Sequence, residues 1–212
     1  DDNFEQALID LDYDDVLDDY VLTENISGVT GLSVRDKEIN DLMGIEAFTS
    51  LNNLNCSVNN LTNLDVSANT ALTTLECDNN QLTSLDVSNN TALVDVFICN
   101  NNLLTYLDMR NGITDALTIF NARANSLSCI LVNEEDVDWA SANWTNDNDN
   151  IDEGVIFDHE CLDLGNTYVP DDNFEQALID LGYDDVLDDY VLTENISGVT
   201  ELDVSNKEIG DL

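Results

Sequence analysis

The sequence predicts an α/β solenoid, a right-handed coil of short parallel strands with about 21 residues per turn and a cap at each end. Leucines and similar apolar residues recur at a nearly constant spacing between residues 51 and 127. Each recurrence also contains a short apolar–polar alternation, which is typical of a strand with one buried face. A constant period indicates a solenoid, because each unit buries its apolar face only by stacking on its neighbours.

The repeat unit has the pattern Leu-x-x-Leu-x-Cys-x-x-Asn-x-Leu, which is the leucine-rich-repeat pattern. Full copies begin at four positions, and a degenerate copy precedes them: Leu51, Leu72, Leu93 and Leu117, preceded by Val29. Cys56 and Cys77 occupy the same inward position of successive strands and are expected to be small buried side chains. In the third copy the alignment assigns Val96 and Ile98 to the buried positions and leaves Cys99 one residue out of register.

One asparagine in each copy is predicted to be structural. These asparagines follow the strand, where the chain must turn: Asn59, Asn80, Asn101 and Asn125. A side-chain amide both donates and accepts hydrogen bonds, so a buried asparagine at this point can bond the backbone of the neighbouring turn.

The two ends of a solenoid need caps, because an open terminal turn exposes apolar side chains and unpaired strand edges. Asp2 or Asn3 is expected to cap an N-terminal helix, and one face of that helix is apolar: Phe4, Ala7, Leu8 and Leu11. The predicted segments are an N-terminal helical cap (1–28), the leucine-rich repeats (29–128), a C-terminal cap (129–164) and a linker (165–170).

Residues 171–212 repeat residues 1–42 at an offset of 170 positions, with six differences. The sequence therefore predicts the start of a second module, with a duplicate N-terminal cap and a first repeat strand around Val199, Leu202 and Val204. An apolar strand edge without a covering turn favours pairing with another copy, so self-association through 171–212 is expected.

Three segments resemble the internalin-like leucine-rich-repeat proteins that Gram-negative bacteria secrete, of the tandem-module type. VPDDNFEQALIDLGYDD (169–185) is similar to their N-terminal cap, LTSLDVSNNTAL (82–93) to their repeat, and DWASANWT (138–145) followed by Cys161 to their C-terminal cap. The resemblance implies export, an extracellular or cell-surface location, binding through the repeat face, and no catalytic residues.

Cys129 and Cys161 lie at the two ends of the one long segment without repeats. Disulfides persist in oxidising compartments, so in a chain that resembles exported proteins we expect these two cysteines to form a disulfide in the C-terminal cap.

The chain is strongly acidic: 45 acidic residues against 5 basic ones give a formal charge of −40. This charge repels polyanions, so nucleic acid is not an expected partner. The sequence has no apolar run long enough to span a bilayer, so membrane insertion is not expected either. The expected partner is an extracellular protein or glycan.

Calcium is a weak candidate cofactor, because two acidic loops could supply the oxygen ligands that it prefers. The candidate ligands are Asp14, Asp15, Asp18, Asp147, Asp149 and Asp152. Neither loop matches the spacing of a helix–loop–helix calcium site, so a solvated acidic surface is the alternative.

An enzyme is not expected. Acid–base catalysis by two carboxylates requires a cleft that holds them at a set separation, and an open repeat sheet offers none. A nucleophile–histidine pair would have to use His159, the single histidine, and no nucleophile motif lies near it.

The outward-facing strand positions are the candidate ligand-binding residues: Asn53, Asn55, Thr74, Glu76, Asp95, Phe97, Ile119 and Asn121. Solenoids commonly bind through such a regular surface. The sequence therefore predicts a non-enzymatic extracellular adhesion module that presents this face to a ligand. The alternative is a structural spacer or stalk repeat without a ligand of its own.

Overall fold

The computed structural model describes residues 1–161, 166–169, 171–187, 190–205, 207, 209 and 210. These residues form two compact units, Asp1–Glu160 and Cys161–Leu212, and each unit is described by itself. The finer segment boundaries predicted from the sequence stay predictions.

The first unit is a solenoid of parallel strands, as predicted, and its strands form two sheets. The front sheet contains five strands in the order β1 (Gly31–Ser33), β2 (Asn53–Asn55), β3 (Thr74–Glu76), β5 (Val96–Ile98) and β7 (Ile119–Asn121). The back sheet contains four strands in the order β4 (Ser84–Asp86), β6 (Tyr106–Asp108), β8 (Cys129–Leu131) and β9 (Ile156–Asp158). Strands of the two sheets alternate along the chain from β3 to β8, so each of these turns contributes to both sheets.

The core lies between the two sheets and consists of the central residue of each strand with its apolar neighbours. Leu54, Leu75, Phe97 and Phe120 align across the front sheet, and all four are buried. Alternation along each strand directs every second side chain into this core, which explains why strands of three residues suffice.

The third turn departs from the predicted alignment. Phe97 pairs with Leu75 and is fully buried, whereas Val96 and Ile98 point away from the core and are half-buried. The turn is one residue longer than predicted between Leu93 and the strand, and a slip of one residue moves every side chain to the opposite face. The prediction that Val96 and Ile98 are buried was therefore wrong.

The same slip corrects the cysteines. Cys99 is not out of register: it is fully buried and lies in line with Cys56 and Cys77, two residues after the central residue of its strand. The three cysteines therefore form one column in the core, with one cysteine per turn.

One asparagine in each turn forms side-chain hydrogen bonds with the backbone of two successive turns. The side-chain amide nitrogen of Asn80 donates to the carbonyl oxygens of Cys56 and Cys77, at 3.1 Å each, and its oxygen accepts from the Leu61 amide at 3.0 Å. Asn59 and Asn125 make corresponding bonds in their own turns. Each amide thereby satisfies backbone groups of two turns that would otherwise be buried without partners.

Asn102, and not Asn101 as predicted, occupies this position in the third turn. Its side chain donates to the carbonyl oxygens of Cys77 and Cys99 and accepts from the Leu82 amide. Asn101 is exposed and has a φ of 55°, so it supplies the left-handed residue that precedes the buried asparagine.

A second asparagine column lies in the half of each turn that leads to the next front strand. Asn69 and Asn90 are buried and donate to backbone carbonyl oxygens of the preceding turn: Asn69 to Ile45 and Phe48, and Asn90 to Val66 and Asn69. Two asparagine columns, one on each side of the core, therefore hold the turns in register.

The N-terminal cap is built on helix α1 (Asp2–Asp10), followed by the single-turn helix α2 (Thr23–Ile26). Asp1, rather than the predicted Asp2 or Asn3, caps α1: its carboxylate accepts from the amides of Asn3 and Phe4. Phe4, Ala7 and Leu8 form the buried apolar face of α1, as predicted. Leu11, which was also assigned to this face, follows the helix and is exposed.

Glu5 organises the loop after α1. It is buried, and its carboxylate accepts hydrogen bonds from the amides of Asp18 and Asp19 at 2.6 and 2.8 Å. A buried carboxylate that accepts backbone hydrogen bonds holds an otherwise irregular acidic loop against the helix.

The C-terminal cap covers the last turn with helix α3 (Val137–Asn143) and an aromatic cluster. Trp144 is buried, and the centre of its ring lies 4.3 Å from that of Phe120 and 5.7 Å from that of Phe157. These rings replace the apolar side chains that a further turn would supply. The predicted disulfide between Cys129 and Cys161 is present.

The second unit contains β10 (Asn166–Tyr168), α4 (Asp172–Asp180), β11 (Tyr190–Leu192) and the single-turn helix α5 (Thr193–Ile196). Helix α4 repeats α1, with Asp171 as its cap, so the predicted duplicate cap helix forms. Residues 166–168, which the sequence analysis assigns to a linker, form a strand that pairs antiparallel with β11.

The predicted first repeat strand of this second unit does not form among the described residues: 199–204 have no strand partner, and Leu202 is exposed. In the first unit the equivalent strand, β1, pairs with β2 of the following turn. A lone strand of three residues lacks the hydrogen bonds and apolar cover that stabilise it.

We predict that Val58→Asn stabilises the first unit. Val58 precedes a buried asparagine and has a φ of 58°, a left-handed conformation that β-branched side chains resist. Asparagine already occupies the equivalent positions 79 and 101. The substitution should raise the free energy of unfolding, measured in urea, by about 1 kcal/mol.

Asn79→Val is the matched control for this substitution and should lower the unfolding free energy by a similar amount. Equal stability of the Val58→Asn variant and the unsubstituted chain would contradict the strain argument.

We also predict that alkylation separates the cysteines into two classes. Burial raises the pKa of the Cys56 thiol to about 12 and raises the pKa values of Cys77 and Cys99, and the thiolate is the reactive form. Iodoacetamide at pH 8 without reductant should therefore leave the folded chain unmodified. After unfolding it should modify the three cysteines of the core column. Intact mass gives the number directly, and five modified cysteines in the unreduced chain would disprove the disulfide.

Candidate functional site

The candidate site is the outward surface of the front sheet, called here the strand face. It consists of the outer positions of four strands: Asn53, Asn55, Thr74, Glu76, Val96, Ile98, Ile119 and Asn121. Two rows of side chains cross these strands, because the parallel strands pair without a shift: the first row runs from Asn53 to Ile119, and the second from Asn55 to Asn121.

Two of the eight candidates from the sequence do not belong to this face. Phe97 lies in the core, for the reason given above. Asp95 is exposed but precedes β5, and its amide donates to the Thr73 carbonyl. Thr74 stays on the face, although its side chain is largely covered.

The sequence analysis missed Val96 and Ile98. Aligning the third copy on Leu93 placed both in the core, whereas aligning it on Cys99 and Asn102 would have placed both on the face. The sequence therefore contained the correct register, but Cys99 and Asn102 indicated it and Leu93 did not.

One end of the strand face carries an apolar patch, which consists of Val96, Ile98 and Ile119. Val96 pairs with Ile119 on adjacent strands, and Ile119 is 49% exposed. Adjacent strands lie about 4.8 Å apart, so the three side chains form a continuous surface. The other end, on β2, is polar and carries Asn53 and Asn55.

A hydrogen-bond chain fixes the polar end of the face. The Arg35 guanidinium donates to the Ser57 hydroxyl at 2.6 Å, and this hydroxyl donates to the side-chain oxygen of Asn55 at 2.6 Å. Because these groups are already paired with one another, Asn55 is held in one orientation on the face.

At the opposite end, beyond the apolar patch, Arg123 pairs with Asp149 of the C-terminal cap. The carboxylate of Asp152 accepts from the Asn125 amide at 3.1 Å and lies 4.0 Å from Arg123. Two of the three calcium candidates in this loop, Asp149 and Asp152, thus bind side-chain or backbone groups of the last repeat.

The other calcium candidates are dispersed. Asp14 and Asp18 accept hydrogen bonds from the amides of Asp15 and Tyr20, respectively, and Asp147 is exposed. Within the described ranges, no three carboxylate, histidine or cysteine side chains are grouped so that they could hold a metal ion. Calcium binding stays a prediction.

The back sheet carries a compact charged cluster. Asp108 is almost completely buried and accepts from Arg110 Nη2 at 2.6 Å, from Arg110 Nε at 3.0 Å and from the Tyr106 hydroxyl at 3.1 Å. Burial alone would raise the pKa of Asp108, but the hydrogen bonds from Arg110 and Tyr106 outweigh it and hold the pKa below its ordinary value of 3.8. Arg110 Nη1 also donates to the carbonyl oxygen of His159 at 3.4 Å, so the ion pair also contacts the residue that follows β9.

His159 lies near this cluster and is exposed. Its ring contacts carboxylates on both sides, Asp158 at 3.0 Å and Glu160 at 3.8 Å.

The described part of the chain also contains no helix with the length and apolar character needed to cross a membrane.

No family model and no curated protein matches the sequence. Among solved structures, the functional domain of InlJ from Listeria monocytogenes, described as including a cysteine ladder, is similar with a TM-score of 0.55 and 38% identity. The similarity covers 61% of this chain and 28% of the InlJ chain.

Two further solved structures, both from Listeria monocytogenes, are more distant. The internalin InlF has a TM-score of 0.43 at 18% identity, with 62% of this chain and 50% of that chain covered. The internalin InlC2 has a TM-score of 0.30 at 16% identity, with 74% and 93% covered. The chain thus spans less than two thirds of the InlJ and InlF chains that it resembles. The expected Gram-negative source stays a prediction.

The parallel sheets, the buried asparagines and the terminal caps define the chain as a leucine-rich-repeat solenoid. The similarity to InlJ makes the assignment more specific, and it extends to a shared feature, because Cys56, Cys77 and Cys99 form a cysteine column here. The chain is an internalin-like leucine-rich-repeat protein, as its cap and repeat segments suggest.

The Asp108–Arg110 pair predicts a pH-dependent contribution to stability. The folded-state pKa of Asp108 is depressed, so the contribution is present near neutral pH and is lost as the pH falls through that lowered pKa. The difference in unfolding free energy between the chain and Asp108→Asn should therefore shrink below a pH of about 4. Urea unfolding at several pH values measures it.

Arg110→Gln serves as the comparison for this prediction. It leaves the carboxylate buried without its guanidinium, so stability should fall near neutral pH and recover on acidification. A stability difference that does not change with pH in either variant would contradict the ion-pair assignment.

Proposed function

We propose that this chain is a non-enzymatic, extracellular or surface-displayed module that binds a protein through its strand face. The observation that supports this most directly is the apolar patch of Val96, Ile98 and Ile119, which lies at the surface of a rigid sheet whose other end carries the fixed polar group Asn55. Exposed apolar side chains grouped on a surface are typical of protein-interaction sites.

The rigidity of the face supports a binding role. The asparagine columns and the parallel strand ladder fix the backbone beneath every residue of the strand face. A site that is already ordered loses little conformational entropy on binding, so more of the contact energy remains as affinity.

The composition of the face favours a protein over a glycan. None of the eight side chains of the strand face is aromatic. The face therefore lacks the flat apolar rings that would supply most of the apolar contact with a rigid ligand such as a glycan. Branched aliphatic side chains beside asparagines and Glu76 suit a partner that presents an apolar side chain with basic neighbours.

The charge of the chain supports a basic or neutral partner. A formal charge of −40 speeds encounter with positively charged surfaces and disfavours nucleic acid and anionic membranes. An extracellular location is part of this proposal. The Cys129–Cys161 disulfide supports that location, because disulfides persist in oxidising compartments.

A structural spacer is the second candidate. The near-identity of residues 1–42 and 171–212 supports it, because tandem modules that only provide length need no variable binding surface. A spacer and a binding module differ in one property, which is whether the strand face matters to an interaction.

The test compares two exposed isoleucines on opposite sheets. Ile119, on the strand face, is 49% exposed, and Ile156, on the back sheet, is 40% exposed. The chain, the Ile98→Glu/Ile119→Glu variant and the Ile156→Glu variant are measured by surface plasmon resonance against immobilised extracellular proteins and against a glycan array.

Binding by the chain that weakens at least tenfold in the strand-face variant and is unchanged in Ile156→Glu is expected. Binding to no probe, or equal binding by all three proteins, would contradict the proposal and favour the spacer. Circular dichroism of each variant establishes that a loss of binding does not reflect unfolding.

A further inference from the structure

The two caps have almost the same sequence but differ in one structural respect. In the second unit, Asn166–Tyr168 lie antiparallel to Tyr190–Leu192, with Thr167 opposite Val191. Val169 follows this strand and is buried in a small core with Leu178 and Val191, while Phe174, Tyr183 and Ile196 pack around them.

Each residue that contacts Val169 in this small core has a counterpart in the first unit. At the offset of 170 positions, the residues around Val169 correspond to Leu8, Val21, Phe4, Tyr13 and Ile26. The residues that receive the strand correspond in the same way: Tyr190–Leu192 repeat as Tyr20–Leu22. The first cap therefore has the chemistry needed to receive the same strand.

In the first unit this acceptor is open. Tyr20–Leu22 form no strand, and the exposed fractions of Tyr20 and Leu22 are 80% and 63%. Val21 is half-buried, whereas its counterpart Val191 is fully buried. A groove lies beside this segment, lined among others by Phe4, Leu8, Tyr20 and Val21.

The backbone beside this groove also has groups that are free to form hydrogen bonds. Within residues 1–161, the amide and carbonyl of Val21 form no hydrogen bond, while Glu5 and Asp18 tie down the residues just before it. Leu22 is extended, and a backbone with unbonded groups beside an apolar groove can accept an added strand.

We propose that Tyr20–Leu22 and the adjoining groove form a strand-acceptor site for a segment with the sequence of Asn166–Val169. The segment adds as an antiparallel strand along Tyr20–Leu22 and places its valine between Leu8 and Val21. The occupant is a copy of the intermodule segment joined to Asp1 in the way that Asn166–Pro170 is joined to Asp171.

The sequence order supports an occupant in the same chain. Val169 lies two positions before Asp171. The carboxylates of Asp171 and Asp1 cap equivalent helices, because each accepts from the amides two and three residues later. A segment joined directly to Asp1 therefore meets the groove at the same point as it does in the second cap, with a high effective concentration. In a tandem array the intermodule segment would be a structural part of the cap that follows it.

The experiment adds Asn-Thr-Tyr-Val-Pro before Asp1 of the full chain and follows backbone amide exchange by nuclear magnetic resonance. In the unextended chain, the amide of Val191 should exchange slowly and that of Val21 rapidly. In the extended chain, the amide of Val21 should slow by at least tenfold, because it gains a strand partner.

Two controls separate a specific strand from a nonspecific extension. An extension of Asn-Thr-Tyr-Asp-Pro carries a charge in place of the valine and should leave Val21 exchange fast. The Val169→Asp variant of the chain should accelerate the exchange of Val191 and leave that of Val21 unchanged.

Unchanged Val21 exchange in the extended chain would overturn the proposal, and so would equal protection by both extensions. A free Asn-Thr-Tyr-Val-Pro peptide added at millimolar concentration tests the source of the strand. Protection of Val21 by the free peptide as strong as that by the extension would contradict an occupant that depends on covalent attachment.

Discussion

The hydrogen bonds of the buried asparagines are the constraint on which the remainder of the first unit depends. Four of them donate to carbonyl groups of two successive turns and accept from a further amide: Asn59, Asn80, Asn102 and Asn125. Without these bonds, the corner of each turn would bury unpaired backbone groups, at a cost of about 1–3 kcal/mol for each group. The position of the asparagine therefore sets where each turn begins and ends.

This constraint explains how the fold accommodates a longer third turn. Cys99 and Asn102 keep their positions in the two columns, and Leu93 keeps its position in the core, so the additional residue is absorbed between Leu93 and β5. The strand then enters the sheet with Phe97 inward and with Val96 and Ile98 outward. The apolar patch that supports a binding role is thus a direct result of the asparagine register.

The acidic composition has a partly structural origin. In successive turns, the carboxylates of Asp65, Asp86 and Asp108 accept from the backbone amide two residues later, at 2.8 to 3.0 Å. Glu5 similarly holds the loop after α1. Carboxylates are suited to these tasks because they only accept hydrogen bonds, so a strongly acidic chain can still have well-ordered turns.

The sequence by itself determined the solenoid, the parallel strands, the cap helices and the disulfide, because each leaves a local signature. The leucine spacing predicts strands such as β2 and β3, the duplicated DNFEQALID segment predicts α1 and α4, and Cys129 and Cys161 border the segment without repeats. Only the tertiary structure decided which residues of the third turn face outward. Leucine spacing there allows two registers, and the hydrogen bonds of Asn102 to Cys77 and Cys99 in adjacent turns select one of them. Tertiary structure also decided that residues 166–168 form a strand, because their partner Tyr190–Leu192 lies more than twenty positions away in the sequence.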